Sequence, residues 1–139
     1  RAGRVAAVTG VRLAIVGTRV LDCPGDGARA YAMAASAISD LAPAVVISGG
    51  ADGVDKIAEQ AAAAAGYSEA AGTLIIHRPR VRRFHGYGGY RWRDEIIARD
   101  CTHLLRIACR QATTYGSGWT ADRAEQLGAD VKRRTICHQ

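Results

Sequence analysis

No apolar run in this chain approaches the roughly 20 residues that a membrane-spanning helix requires, and no signal-peptide pattern opens it. The expectation is a cytoplasmic protein with no membrane partner. The four cysteines, Cys23, Cys101, Cys109 and Cys137, contain no C-x-x-C pair, whereas zinc sites normally show closely spaced ligand pairs. His138 beside Cys137, and the lone His77, His85 and His103, add no ligand spacing. Buried thiols are expected, with no metal and no cofactor. G-x-G-x-x-G does not follow the first apolar run, and no G-K-[ST] occurs. That excludes the dinucleotide fingerprint and the Walker loop. Acidic residues are missing from one stretch: positions 78–93 hold Arg78, Arg80, Arg82, Arg83, Arg91 and Arg93 with no acid between the first and the last.

What is present reads as one ordinary domain. A length of 139 residues suits a single core and is too short for two. The expected domain is 10–139, with Arg1 to Thr9 as an extension given no structural weight. Val11 to Gly17 is a short apolar run ending in glycine, the look of a buried strand. Asp26 to Leu41 places Tyr31, Ala34, Ile38 and Leu41 on one helical face, with Asp26 as N-cap and Pro43 beyond the end. Ala44 to Ser48 reads as a second strand, and an alanine-rich helix then runs to Ala65 with Gly66 as its stop. Thr73 to His77 is a third strand, Tyr90 to Arg99 a helix with Ile96 and Ile97 inward, and Thr102 to Ile107 a fourth strand. A turn at 113–118, a helix from Thr120 to Leu127 and a strand from Val131 to Ile136 complete the series. Strands alternating with helices predict an α/β fold: a Rossmann-like, doubly wound, mostly parallel sheet with helices on both faces.

In such sheets ligands sit outside the carboxyl ends of the strands. Three segments fall there: Gly17-Thr18-Arg19, the stretch Ser48-Gly49-Gly50-Ala51-Asp52-Gly53-Val54-Asp55, and Gly116-Ser117-Gly118-Trp119-Thr120. Glycine lets a backbone approach an anion closely, and a helix N-terminus offers unpaired N–H groups and positive dipole charge. Each glycine also fits a plain tight turn. Arg19 suits a phosphate or a salt bridge to Asp22. Asp55 and Asp94 suit a ribose contact or acid–base work, and equally the first turn of a helix, where an acid is stabilising by itself. The 78–93 segment interleaves its arginines with Phe84, His85, Tyr87, Tyr90 and Trp92. It fits phosphates and stacked bases, or a solvated basic loop.

The order I-V-G-T-R (Ile15 to Arg19), S-G-G-A-D-G-V-D (Ser48 to Asp55), R-W-R-D (Arg91 to Asp94) and G-S-G-W-T before a helix resembles the SLOG superfamily. More narrowly, it is similar to the small single-domain members related to YpsA. That superfamily includes the LOG-type phosphoribohydrolases and the DNA-loading protein DprA. The resemblance implies that Gly17, Thr18 and Arg19 contact a ligand after the first strand. Ser48, Gly49, Gly50, Gly53 and Asp55 would form a second wall. Arg93 and Asp94 would stand where the small members have an R-N pair. Gly116, Ser117, Gly118 and Thr120 would cradle a phosphate.

Two departures bear on activity. LOG enzymes carry P-G-G-x-G-T-x-x-E, and the position of that glutamate is Arg123 here, while Glu125 lies elsewhere around the helix. Trp119 replaces a small or polar residue. The leading expectation is a module that binds or senses a nucleotide-derived phosphate ligand. The alternatives are a hydrolase of an N-glycosidic or phosphoester bond using Asp55 or Asp94, and a DprA-like nucleic-acid binder using Arg78 to Arg93. Self-association is left open.

Overall fold

The computed structural model describes residues 10–110 and 116–136. Its strands are β1 (Arg12–Gly17), β2 (Val45–Ser48), β3 (Leu74–Ile76), β4 (His103–Ala108) and β5 (Asp130–Thr135). Its helices are α1 (Asp26–Leu41), α2 (Val54–Ala64), α3 (Tyr90–Asp100) and α4 (Gly116–Gln126). One five-stranded sheet has the order β3-β2-β1-β4-β5, and every pairing is parallel. Parallel neighbours cannot be joined by a hairpin, so a helix intervenes between each strand and the next in sequence. The architecture is the doubly wound α/β fold that the strand–helix alternation predicts.

The two-residue period of β1 produces two cores. Leu13 and Ile15 face α1 and α2, packing with Ala30, Ala34 and Ile38 of α1 and Val54, Ala58, Ala61 and Ala62 of α2. Ala14 and Val16 face α3 and α4, packing with Ile47, Ile97, Ala98, Leu104, Ala121 and Ala124. The alanine stripe lets α1 and α2 lie close to the sheet and to one another. Tyr31 departs from the expected face: Ala30, Ala34 and Ile38 are the buried stripe, and Tyr31, one residue and so about 100° around the helix, is 37% exposed.

The helix ends show three further differences. Gly25 at φ +82°, rather than Asp26, caps α1, because a left-handed residue there is strained for anything but glycine. Asp26 becomes the first helical residue and turns its carboxylate inward, fully buried. α4 begins at Gly116, four residues before Thr120, so the Gly-Ser-Gly run is a first helical turn and not a separate loop. At the sheet edge β5 is polar and mostly exposed, carrying Lys132, Arg133 and Arg134, the charged composition that deters pairing with a further strand. Ile97 is buried as expected, and Ile96 only partly.

Strand order reverses between β1 and β4: α1 leaves β1 toward β2, and α4 leaves β4 toward β5. A crevice opens outside the carboxyl ends of these two strands.

Candidate functional site

A cavity of about 440 Å³ occupies that crevice, within the size range of small-ligand sites. Gly17 and Arg19 from the end of β1, Asp55 from α2, Arg93 and Asp94 from α3, and Gly116, Ser117 and Thr120 from α4 all line it. The remaining sequence candidates lie at the same edge but behind the walls. Ser48 is fully buried and donates to Glu59 Oε2 at 2.6 Å while accepting from the Gly50 N–H. The Gly49 carbonyl accepts from Arg93 Nη1, and a Cβ at Gly49 would stand 2.8 Å from Asp55 Oδ2. Gly50, at φ +71°, backs onto Ile76 and Arg78, outside the cavity. Gly53, at φ +79°, packs directly under the backbone of Thr18 and Arg19. Gly118 is buried inside α4.

The floor is tied together at Thr18. Its N–H donates to the Ile107 carbonyl at 3.2 Å, its carbonyl accepts from the Val54 N–H at 3.1 Å, and its hydroxyl accepts from the Cys109 N–H at 3.2 Å. Gly17 allows the contact, since a Cβ there would lie 2.6 Å from the Cβ of Val54.

Inside the cavity two carboxyls surround a buried guanidinium. Arg93 is 5% exposed and donates from Nε to Asp94 Oδ1 at 2.7 Å. Asp55 accepts from the Ala51 N–H at 3.2 Å. Burial pushes the Asp55 carboxyl up from 3.8 to about 7, against the Ala51 hydrogen bond and the charge of Arg93, with Glu59 and Asp94 adding to the rise. Burial raises Asp94 as well, opposed by Arg93, by the Thr120 hydroxyl and by Arg19. The site therefore holds an acid that exchanges its proton near neutrality beside fixed positive charge.

Arg19 makes no ion pair with Asp22. Its guanidinium lies 4.9 Å from the Tyr90 ring centroid, and it is exposed at the mouth. Beyond it the 78–93 segment forms an ordered rim. Arg80 N–H and Val81 N–H donate to the Gly88 carbonyl, Tyr90 N–H to Arg83, and Arg91 N–H to Phe84. Arg91 stacks between Phe84, at 5.8 Å, and Trp119, at 4.5 Å. Arg80 lies 5.6 Å from both Tyr87 and Trp92, whose rings are themselves 5.1 Å apart. An arginine laid on an aromatic face keeps its edge N–H groups for anions. Phe84 and Tyr90 join the cavity wall. The sequence signal for this was only the interleaving of aromatics with arginine, which does not say which rings face the glycine-rich loops.

α4 borders the cavity through Gly116, Ser117, Trp119 and Thr120. The Ser117 hydroxyl accepts from Arg106 Nε at 2.9 Å, and the Thr120 hydroxyl donates to the Gly116 carbonyl at 3.0 Å. Arg123, at the position of the LOG glutamate, is paired with Glu95 at 2.9 Å. Glu125 pairs with Arg133 at 3.0 Å on the exposed side. A second cavity, of about 450 Å³, lies against the α1 and β4–β5 face, lined by Met33, Leu41 and Leu105 among others. None of the glycine-rich segments reaches it.

The family model of DNA recombination-mediator protein A matches residues 1–75. Among solved structures, DNA processing protein A from Helicobacter pylori, described for its single-stranded DNA binding mode, is similar with a TM-score of 0.62 at 17% identity. The match covers 93% of this chain and 67% of that one. At that identity the likeness concerns the fold. No curated protein matches the chain.

Proposed function

The chain belongs to the DNA recombination-mediator protein A family, and from that premise we propose that its carboxyl edge binds single-stranded DNA. The observation that carries the reading is the guanidinium–aromatic rim running from the cavity mouth along positions 80–92. Stacking surfaces and cations alternate there, as a strand of bases and phosphates requires. Arg80, Arg82, Arg83 and Arg91 make no ion pair among the described residues, so their charge faces outward. Arg78 is engaged by Glu69 and Arg93 by Asp94. The cavity then takes one phosphate or sugar unit between Arg19 and the first turn of α4.

Four such arginines on phosphates predict a slope of log K against log salt of roughly −3, and about a 50-fold loss between about 50 and 200 mM salt. Fluorescence anisotropy with a labelled oligonucleotide measures this. Binding that ignores salt, or none at low salt, defeats the proposal. A second reading, a free nucleotide-derived ligand, is favoured by the size of the cavity and its enclosed carboxyls. Competition by a mononucleotide at concentrations that displace the oligonucleotide supports it.

A further inference from the structure

We propose that Cys23, Asp26 and Cys109 form a binding site for a thiophilic divalent cation of the zinc class. The two cysteines are 86 positions apart, in the β1–α1 loop and just after β4, which is why spacing along the chain conceals them. In the fold their sulfurs lie 3.8 Å apart, and the sulfurs and a carboxylate oxygen of Asp26 all fall within 4.8 Å of one another.

Three observations select a cation. Two thiolates each about 2.3 Å from a tetrahedral zinc stand about 3.8 Å apart, the separation found here. A disulfide needs sulfurs at about 2.0 Å. Asp26 is fully buried; Oδ1 accepts from Arg29 Nη1 at 3.2 Å, while Oδ2 has no hydrogen-bond partner among the described residues. A buried carboxylate oxygen without a donor is costly, and a metal ion at the centre of the three groups supplies what it lacks. Thiolate and carboxylate together suit zinc or cobalt(II) and disfavour magnesium, which takes oxygen ligands. Three protein ligands leave a fourth position for water or another donor. Binding displaces protons from the thiols to solvent, so uptake strengthens as pH rises.

The ion would join the loop after β1 to the end of β4, on the strands that flank the crevice. The Cys109 N–H already donates to the Thr18 hydroxyl. Occupancy would stiffen the loop that presents Arg19. No part of this depends on what the carboxyl edge binds.

The test is a cobalt(II) titration of the reduced, metal-stripped chain. One equivalent should bring thiolate-to-cobalt charge transfer and tetrahedral visible bands, reversed by zinc, and zinc should raise the melting temperature. Cys109→Ser and Cys23→Ser should abolish the bands, and Asp26→Asn should weaken uptake at least 10-fold. Cys23 is only half-buried, so its variant leaves the core intact should Cys109→Ser not fold. Cys101→Ser, at the amino end of β4, should bind as the parent does. Absent bands in the reduced parent, or bands retained in Cys23→Ser, overturn the proposal. So does a reduced parent indifferent to cobalt that forms a Cys23–Cys109 disulfide in air.

Discussion

Asp55→Asn should make this protein more stable, and by an amount that depends on pH. The unfolded chain releases the Asp55 proton near 3.8, whereas the folded chain holds it to about 7. Between those values the folded state binds more protons than the unfolded one, so stability falls as pH rises through the window and is level above it. At 1.36 kcal/mol per pH unit, the ionised carboxyl costs the folded state about 4 kcal/mol above pH 8 or so. Asparagine cannot ionise, yet its carbonyl can still accept from the Ala51 N–H that Asp55 holds. Integrating the same linkage gives a cost of about 1.7 kcal/mol near pH 5 and about 4.3 kcal/mol near pH 8.5. The gain from the substitution should therefore be about 2.6 kcal/mol larger at the higher pH. Urea denaturation of parent and variant at both values measures it, and the difference of differences cancels any pH-independent effect of the amide. An equal gain or loss at the two values refutes the reasoning, because it would mean that Asp55 titrates alike in both states.

The same proton should gate binding: oligonucleotide affinity should rise as pH falls through about 7, and Asp55→Asn should flatten that profile in anisotropy measurements. Gly17→Ala should destabilise by about 1–3 kcal/mol or more, since the new Cβ would meet Val54 at 2.6 Å; an unchanged urea midpoint speaks against the close packing of the floor. Trp119→Ala should weaken single-stranded DNA binding about 5- to 150-fold, the range for one stacked base, and a variant with parental affinity would remove Trp119 from the interface. Glu125→Gln should leave that affinity unaltered, because Glu125 points to Arg133 on the exposed side; lost binding would place it at the site.

The strands were legible because β1, β2 and β4 are apolar runs, and glycine or proline ends or follows the first two. The parallel order followed from helices between them. The start of α4 was not. Gly116, Ser117 and Gly118 are poor helix formers, yet they lie within α4, so tertiary placement prevailed over propensity. Tyr31 misled because its apolar ring was counted toward a stripe that alanines fill. Among the site candidates, Gly17, Arg19, Asp55, Arg93 and Asp94 reach the cavity because each sits within a turn of a strand or helix end. Gly49, Gly50 and Gly53 sit at the right edge but serve the backbone. The partner of Arg19 was unreadable: Asp22 is near in sequence, whereas Tyr90 approaches only through the β1/α3 juxtaposition. The Cys23–Cys109 pair is invisible for the same reason.

Because the amide and hydroxyl of Thr18 bind the carboxyl end of β4 while its carbonyl binds the start of α2, the crevice is asymmetric in compliance. Its floor is cross-braced through β4, α2 and the end of β1, and cannot shift at one point without breaking hydrogen bonds at the others. The rim at 78–89 is held by a few turn hydrogen bonds of its own. Under the proposed single-strand binding, adjustment to differing base sequences would fall to the rim, while the anchor beneath would stay constant. Such a division would suit indifference to sequence: variable bases would meet the compliant side, and the invariant phosphate the stiff one.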